Sequence, residues 1–173
     1  MKDSQIIIKT ERFVLKELRA EDASYRYLNW FEDIDIKANI LTSSKMKKLE
    51  DLKLYISDKY NANNIIFLGI FCINTGAHIG NIKYEPIDFQ NKYAILGILI
   101  GDKSYRGKKV GVEVIKASGG WLNESYGVST IVLEVSPTNI RAINAYKSSG
   151  FIMEESEYTF KDSEKSLTMV CHI

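Results

Sequence analysis

The heptapeptide Tyr105-Arg106-Gly107-Lys108-Lys109-Val110-Gly111 sets three cations and two glycines between an apolar run and a helical one. A glycine-bearing, positively charged turn that leads from a strand into a helix is suited to holding a phosphate. The first N–H groups of a helix have no intrahelical partners, and the helix dipole places roughly half a positive charge at that end. The glycines let an anion approach the main chain, while Arg106, Lys108 and Lys109 bring formal charge. Other arrangements of reactive residues are missing. His78 begins a strand after a turn and reads as a surface histidine, His172 lies in the terminal tail, and neither forms a triad with a serine or cysteine nucleophile. Cys72 and Cys171 are far apart, flanked by apolar residues and without metal-ligand spacing, so they read as buried reduced thiols.

The whole chain limits what such a turn can belong to. At 173 residues it suits one domain, residues 1–173, with a substantial core. Its formal charge of +1 gives no global pull toward nucleic acid or anionic membrane, so no direct nucleic-acid or membrane partner is expected. No apolar run approaches the ~18 residues of a membrane span, and Met1 to Gln5 lacks the apolar core of a secretion signal. A cytoplasmic location is expected.

The elements that must position the turn follow from periodicity. Ile6–Ile8 and Phe13–Leu15 read as strand with a break or bulge at Thr10-Glu11-Arg12. Glu21-Asp22 opens a helical stretch with Tyr25, Leu28 and Phe31 on one face, and Asp33 to Lys48 reads as a loop with a short helix. Leu49 to Tyr60 repeats apolar residues at helical spacing. Ile65–Ile73, His78–Tyr84 and Tyr93–Ile100 read as three strands of an antiparallel meander, with Pro86 to Lys92 as a connection. Arg106 to Asn123 is the helix behind the turn, weakened near its end by Gly119-Gly120. Thr130–Val135 is a buried strand, Pro137-Thr138-Asn139 starts a helix that runs to about Ser148, and Gly150 closes it. Phe151–Phe160 and Leu167–Cys171 read as closing strands around a polar turn at Lys161-Asp162-Ser163. The result is a mixed α/β (α+β) layer with helices against a largely antiparallel sheet.

Two blocks in this order resemble the GNAT superfamily of acyl-CoA-dependent N-acyltransferases. The first is Ala94 to Asp102 followed by Tyr105 to Glu113, similar to the family's fourth strand and pyrophosphate loop. The second is Leu133 to Ile143 with Ala145-Tyr146-Lys147 and Gly150-Phe151, similar to the fifth strand, the asparagine-bearing helix start, the helix tyrosine and the terminal Gly-Phe. The opening Thr10-Glu11-Arg12-Phe13-Val14-Leu15-Lys16 with Glu21-Asp22-Ala23 resembles the branch that includes ribosomal-protein alanine N-acetyltransferases. The resemblance implies a twisted, mostly antiparallel sheet of about seven strands flanked by about four helices, with the fourth and fifth strands splayed apart. One position departs from the pattern: Lys109 stands where the family's loop has its first small residue. If the backbone there is left-handed, lysine costs on the order of 1 kcal/mol. Lys109 then either adds a charge for the ligand or weakens coenzyme affinity.

The resemblance also implies a chemistry: direct transfer of acetyl from acetyl-CoA to an amine, with no covalent enzyme intermediate and no metal. The pantetheine arm would lie in the gap between the splayed strands and borrow their hydrogen bonds. The diphosphate would meet the N–H groups and side chains of Arg106, Gly107, Lys108, Lys109, Val110 and Gly111. A backbone N–H near Leu99 or Ile100 would stabilise the oxyanion, Asn139 would touch the pantetheine arm besides capping its helix, and Tyr146 would protonate the leaving thiolate. The general base is poorly marked. Ile95 occupies a position where relatives often carry glutamate, and Glu134 is the nearest alternative, with Glu85 behind it.

Acceptor selection is expected between Trp30 and Tyr60, where Trp30, Phe31 and Tyr55 read either as core or as an apolar wall. The cations Lys45, Lys47, Lys48, Lys53 and Lys59 read as a solvated face or as an attraction for an anionic acceptor. An aminosugar nucleotide, another small amine and a protein amino terminus all fit as acceptor, and the chain is expected to act as a monomer or homodimer. Two other classes compete. A sensor that binds acyl-CoA without turnover is favoured by Lys109 and Ile95 and opposed by Asn139 and Tyr146. A dinucleotide or nucleoside-triphosphate binder lacks its glycine signatures here.

Overall fold

The computed structural model describes residues 5–39, 44–158 and 166–173. Within these residues eight strands form one sheet: β1 (Ile7–Lys9), β2 (Phe13–Glu17), β3 (Ile66–Cys72), β4 (His78–Asp88), β5 (Tyr93–Ile100), β6 (Thr130–Val135), β7 (Ile152–Met153) and β8 (Leu167–His172). Their order across the sheet is β1-β2-β3-β4-β5-β6-β8-β7. Among the described residues five α-helices accompany them: α1 (Tyr25–Trp30), α2 (Ile34–Asn39), α3 (Leu49–Asn61), α4 (Val110–Tyr126) and α5 (Ile140–Ser148).

Every neighbouring pair is antiparallel except β5 and β6, which run parallel. That pair is in register only from Tyr93–Thr130 to Ile95–Val132. Beyond Ile95 the strands part, so the second half of β5 has a neighbour, β4, on one side alone. The expected splay is present. The strand expected as the fourth is the fifth in the chain because the amino-terminal segment reverses where a break or bulge was expected. The Thr10 Oγ1 accepts from the Phe13 N–H at 2.9 Å, which turns β1 back onto β2.

The two faces of the sheet carry different helices. On one, Val110, Val114, Ile115 and Leu122 of α4 and Ile143 of α5 pack with Leu15, Leu68, Ile82 and Leu133. On the other, Tyr27, Trp30, Leu52 and Ile56 of α1 and α3 pack with Phe67 and Leu99. With both faces covered, β5 reads as an almost unbroken apolar run rather than an alternating one. Leu52 and Ile56 are fully buried, and truncating either to alanine costs about 2–5 kcal/mol.

Several sequence expectations are corrected by packing. Tyr25 is 70 % exposed, and the buried face of α1 is formed by Tyr27 and Trp30. The helix begins only after Ser24, whose side chain accepts from the Tyr27 N–H, and this sets the phase. α4 starts at Val110 and continues through Gly119-Gly120 to Tyr126. A Cβ on Gly119 would stand 3.2 Å from the Ile131 side chain, so tertiary packing against β6 outweighs the low helix propensity there. β4 extends to Asp88, with Pro86 in an irregularity between Tyr84 and Ile87 where the ladder needs no N–H. The strand expected from Phe151 shortens to Ile152–Met153, and the turn at Lys161-Asp162-Ser163 lies outside the described residues. Cys72 and Cys171 are both free and buried, as expected.

Candidate active site

The turn before α4 forms as its residues demand. Gly107 has φ 74° and Lys109 has φ 58°, ψ 19°, so the left-handed position falls on the lysine. The first intrahelical bond of α4 runs from the Glu113 N–H to the Lys109 carbonyl. The N–H groups of Val110, Gly111 and Val112 are thus the donors of a first turn with no carbonyl behind them. They border a cleft of about 660 Å³ on the α4–α5 side, lined also by Ile98, Leu99, Ile100, Arg106, Gly107, Lys109, Asn139 and Tyr146. Leu99, Ile100, Arg106, Gly107, Lys109, Val110, Gly111, Asn139 and Tyr146, named from sequence, therefore converge. Lys108 does not line the cleft; it is exposed.

Two arginines hold the turn. Arg106 places its Nε on the Ile100 carbonyl at 2.9 Å, one terminal nitrogen on the Gly101 carbonyl at 3.0 Å and the other 3.3 Å from Asp33. Its planar fork thus engages two strand-end carbonyls and a carboxylate while Arg106 lines the cleft. Its backbone N–H is also used, donating to the Lys103 carbonyl. Lys103 at 2.9 Å and Arg106 hold the Asp33 carboxyl down at about 2. On the far side, Arg12 donates to the Lys108 carbonyl at 3.0 Å and to Glu113 at 2.7 Å. Glu113 also accepts from the Thr10 hydroxyl at 2.6 Å and the Arg12 N–H at 2.9 Å. The β1–β2 turn thereby clamps the first turn of α4, and Arg12 compensates the carboxylate that Glu113 places at that helix start. Sequence reading missed this clamp because its members are about a hundred residues apart.

Asn139 caps α5, accepting from the Ala142 N–H at 3.2 Å, and its amide donates to Asn39 of α2 at 3.3 Å. Tyr146 follows two helical turns later. Burial pushes its phenol up to about 12, and among the described residues its hydroxyl has no hydrogen-bond partner.

A second cleft, of about 530 Å³, opens on the α1–α3 side of the sheet. Tyr27, Phe31, Tyr55 and Phe67 wall it, and Asn81, Lys83 and Glu85 supply polar groups. Ile98, Leu99 and Asn39 line both clefts, which therefore meet where β5 departs from β6. Trp30 is core, packed on Tyr27 and His78, whereas Phe31 and Tyr55 do form part of the wall. His78 is not the surface residue expected. It stacks on Phe71 at 4.6 Å with Tyr27 and Trp30 edge-on, its Nε2 is buried with no partner among the described residues, and burial lowers its pKa to about 4. A register shift beside Ile70–Phe71 turns it inward.

The structure does not bring Glu134 to either cleft. Its carboxylate accepts from Ser166 at 3.2 Å, and β6 has already diverged from β5 at that point. Glu85 does line the second cleft, but it is held between Lys59 and Lys83. Burial raises its pKa and the two ammoniums outweigh that, leaving it below the ordinary carboxylate range. Among the described residues no group of three His, Cys, Asp or Glu is placed to hold a metal ion, and no helix is long and apolar enough to cross a membrane.

This architecture has known counterparts. Residues 12–152 match the family described as the acetyltransferase (GNAT) domain, and the chain belongs to that family. No curated protein sequence matches it. Among solved structures, RimL, a ribosomal alpha-N-protein acetyltransferase in complex with coenzyme A, superposes with TM-score 0.83 at 13 % identity, covering 97 % of this chain and 98 % of that one. A ribosomal-protein alanine acetyltransferase from Vibrio fischeri gives 0.78 at 17 % identity, covering 96 % of each. An aminoglycoside acetyltransferase bound to coenzyme A and kanamycin gives 0.74 at 18 %, covering 92 % and 94 %. At these identities the likeness is one of fold.

Proposed function

We propose that the protein transfers acetyl from acetyl-CoA directly to a primary amine, the amine belonging to a small molecule or a protein amino terminus. One observation carries the reading: two clefts on opposite faces of the sheet share Ile98, Leu99 and Asn39 at the point where β5 and β6 part. A thioester fed through the first cleft and an amine through the second would meet there without either crossing the sheet.

In this reading the orphan N–H groups at the start of α4, with those of Gly107 and Lys109 and the Lys109 ammonium, hold the diphosphate. Asn139 reaches the pantetheine arm while keeping its cap. The amine nitrogen forms a bond to the thioester carbon, a main-chain N–H at Leu99 or Ile100 receives the oxyanion, and the C–S bond breaks as the carbonyl re-forms. Tyr146 donates a hydrogen bond to the departing sulfur. Full proton transfer from a phenol near 12 to an ordinary thiolate near 8.5 is uphill by roughly 5 kcal/mol. The role is therefore stabilisation of the developing thiolate, with the sulfur taking its proton from solvent. The carboxylate lining the acceptor cleft is bound by two ammoniums, so the attacking amine loses its proton to water rather than to a dedicated side chain.

Release of free thiol from acetyl-CoA, followed spectrophotometrically across a panel of amines, tests the proposal. Amine-dependent release is expected. Tight coenzyme binding with no release for any amine points instead to an acyl-CoA sensor, a reading favoured by the left-handed Lys109 and by the lack of an acid at Ile95.

A further inference from the structure

The second cleft has a charge balance that acetyl transfer to an arbitrary amine does not require. Its charged lining residues are Lys83 and Glu85, and Lys59 stands behind Glu85. Both carboxylate oxygens are taken: Oε1 by Lys59 and Oε2 by Lys83, the latter at 2.5 Å. Glu85 is therefore already compensated by two ammoniums, which weakens its pull on a further cation. Lys83 has three N–H donors, one on Glu85 and one on the Tyr55 hydroxyl at 3.1 Å, which leaves a third. Two cations against one anion leave an excess positive charge, and these three side chains are only 20–24 % exposed. Aromatic walls at Tyr27, Phe31 and Phe67 lower the local dielectric and strengthen whatever that charge attracts or repels.

The position of Lys83 along the sheet sets a distance. Lys83 is opposite Gly97, and Leu99 is opposite Asn81, so the two pairs are two residues apart on one face of the sheet. Leu99 borders both clefts, where the acetyl group would be delivered.

We propose that the acceptor is an amine on an apolar or aromatic body that also carries a carboxylate or phosphate, held by Lys83 about 7 Å from the reacting nitrogen, two strand residues at ~3.3 Å each. The assignment rests on the acetyltransferase reading of the same site. An amine with further positive charges meets Lys83 with no unpaired carboxylate to offset it, so polyamines and aminoglycosides are poor ligands of this cleft.

Calorimetric titration of the CoA-saturated protein tests the assignment independently of turnover. Two matched pairs serve as probes: para-aminomethylbenzoate against para-aminomethylbenzamide, and tyramine phosphate against tyramine, with spermidine as the polycation. At least tenfold tighter binding of the anionic member is expected in one pair or both, and the pair with the larger ratio identifies the anion. Lys83→Met should collapse that ratio toward one and Lys83→Arg should retain most of it. Equal binding within both pairs, a preference for spermidine, or a ratio unchanged in Lys83→Met overturns the assignment. Those results leave acetyl transfer to other amines standing. Anion-selective binding without thiol release for any amine removes acetyl transfer and keeps the cleft's preference.

Discussion

The two clefts are built from different materials. The one on the α4–α5 side is mainly a main-chain device: a left-handed turn, the first N–H groups of α4 and the end of β5, held in shape by Arg106 from one side and Arg12 from the other. The cleft on the α1–α3 side is made of side chains, with aromatic walls and a partly buried Lys59–Glu85–Lys83 chain. A main-chain site depends on backbone geometry and tolerates many side chains, so it suits a ligand common to a whole family. A side-chain site changes with each substitution, so it suits a ligand particular to one member.

Substitutions that strike one cleft and spare the other sharpen this contrast. Tyr146→Phe removes the hydroxyl proposed to donate to the sulfur and should lower kcat about a hundredfold while CoA affinity by calorimetry moves less than twofold. Equal losses in both would make Tyr146 a binding residue.

The acceptor side should respond to acid through His78. Its pKa is depressed from 6.5 to about 4, chiefly by burial, with Asp22 favouring the charged form and Lys16 and Arg26 opposing it. Below pH 6.5 the unfolded chain therefore binds the proton that the folded chain refuses. The contribution is fully present above pH 6.5 and is lost as pH falls toward 4, by roughly 2–3 kcal/mol at about pH 4.5. Urea unfolding should show that loss in the wild type and not in His78→Phe. Parallel pH profiles would mean that the aromatic cluster of Phe71, Tyr27 and Trp30 around His78 does not exclude the charge.

On the diphosphate side, Arg12→Met releases the Lys108 carbonyl and leaves Glu113 uncompensated beside the helix start. Coenzyme Kd should rise roughly three- to tenfold, more at low ionic strength than at high. A Kd that does not change would separate the clamp from coenzyme binding. Lys109→Gly relieves a left-handed lysine and should stabilise the fold by about 0.5–1 kcal/mol in denaturant titrations. If CoA affinity falls at the same time, the lysine ammonium reaches the ligand; if it rises, the side chain was in the way.

The difference in materials also explains which parts could be read from residues alone. β5 and β6 carry the bounds expected for them, because unbroken apolar runs between turn residues leave little choice. The Asn139 cap and the helix through Tyr146 were equally plain, since capping and helical spacing are local. His78 was misjudged because a one-residue register shift on β4 decides which way it points, and such a shift leaves no local mark. Glu134 reads as a candidate base from its strand, but whether it reaches a cleft depends on where β6 leaves β5. The charge of Arg106 is plain in the sequence, but the carbonyls and Asp33 that its guanidinium engages come from the end of β5 and the loop before α2.

Short-range physics, then, specified the phosphate turn, the strands that flank it and the capped helix behind it: backbone sterics, orphan N–H groups and apolar periodicity act within a few residues. The joining of two clefts at Leu99, the Arg12–Glu113 clamp and the excess charge at Lys83 arose only on folding. Each needs groups from distant segments placed within hydrogen-bond reach, and those distances are set by how the layers pack.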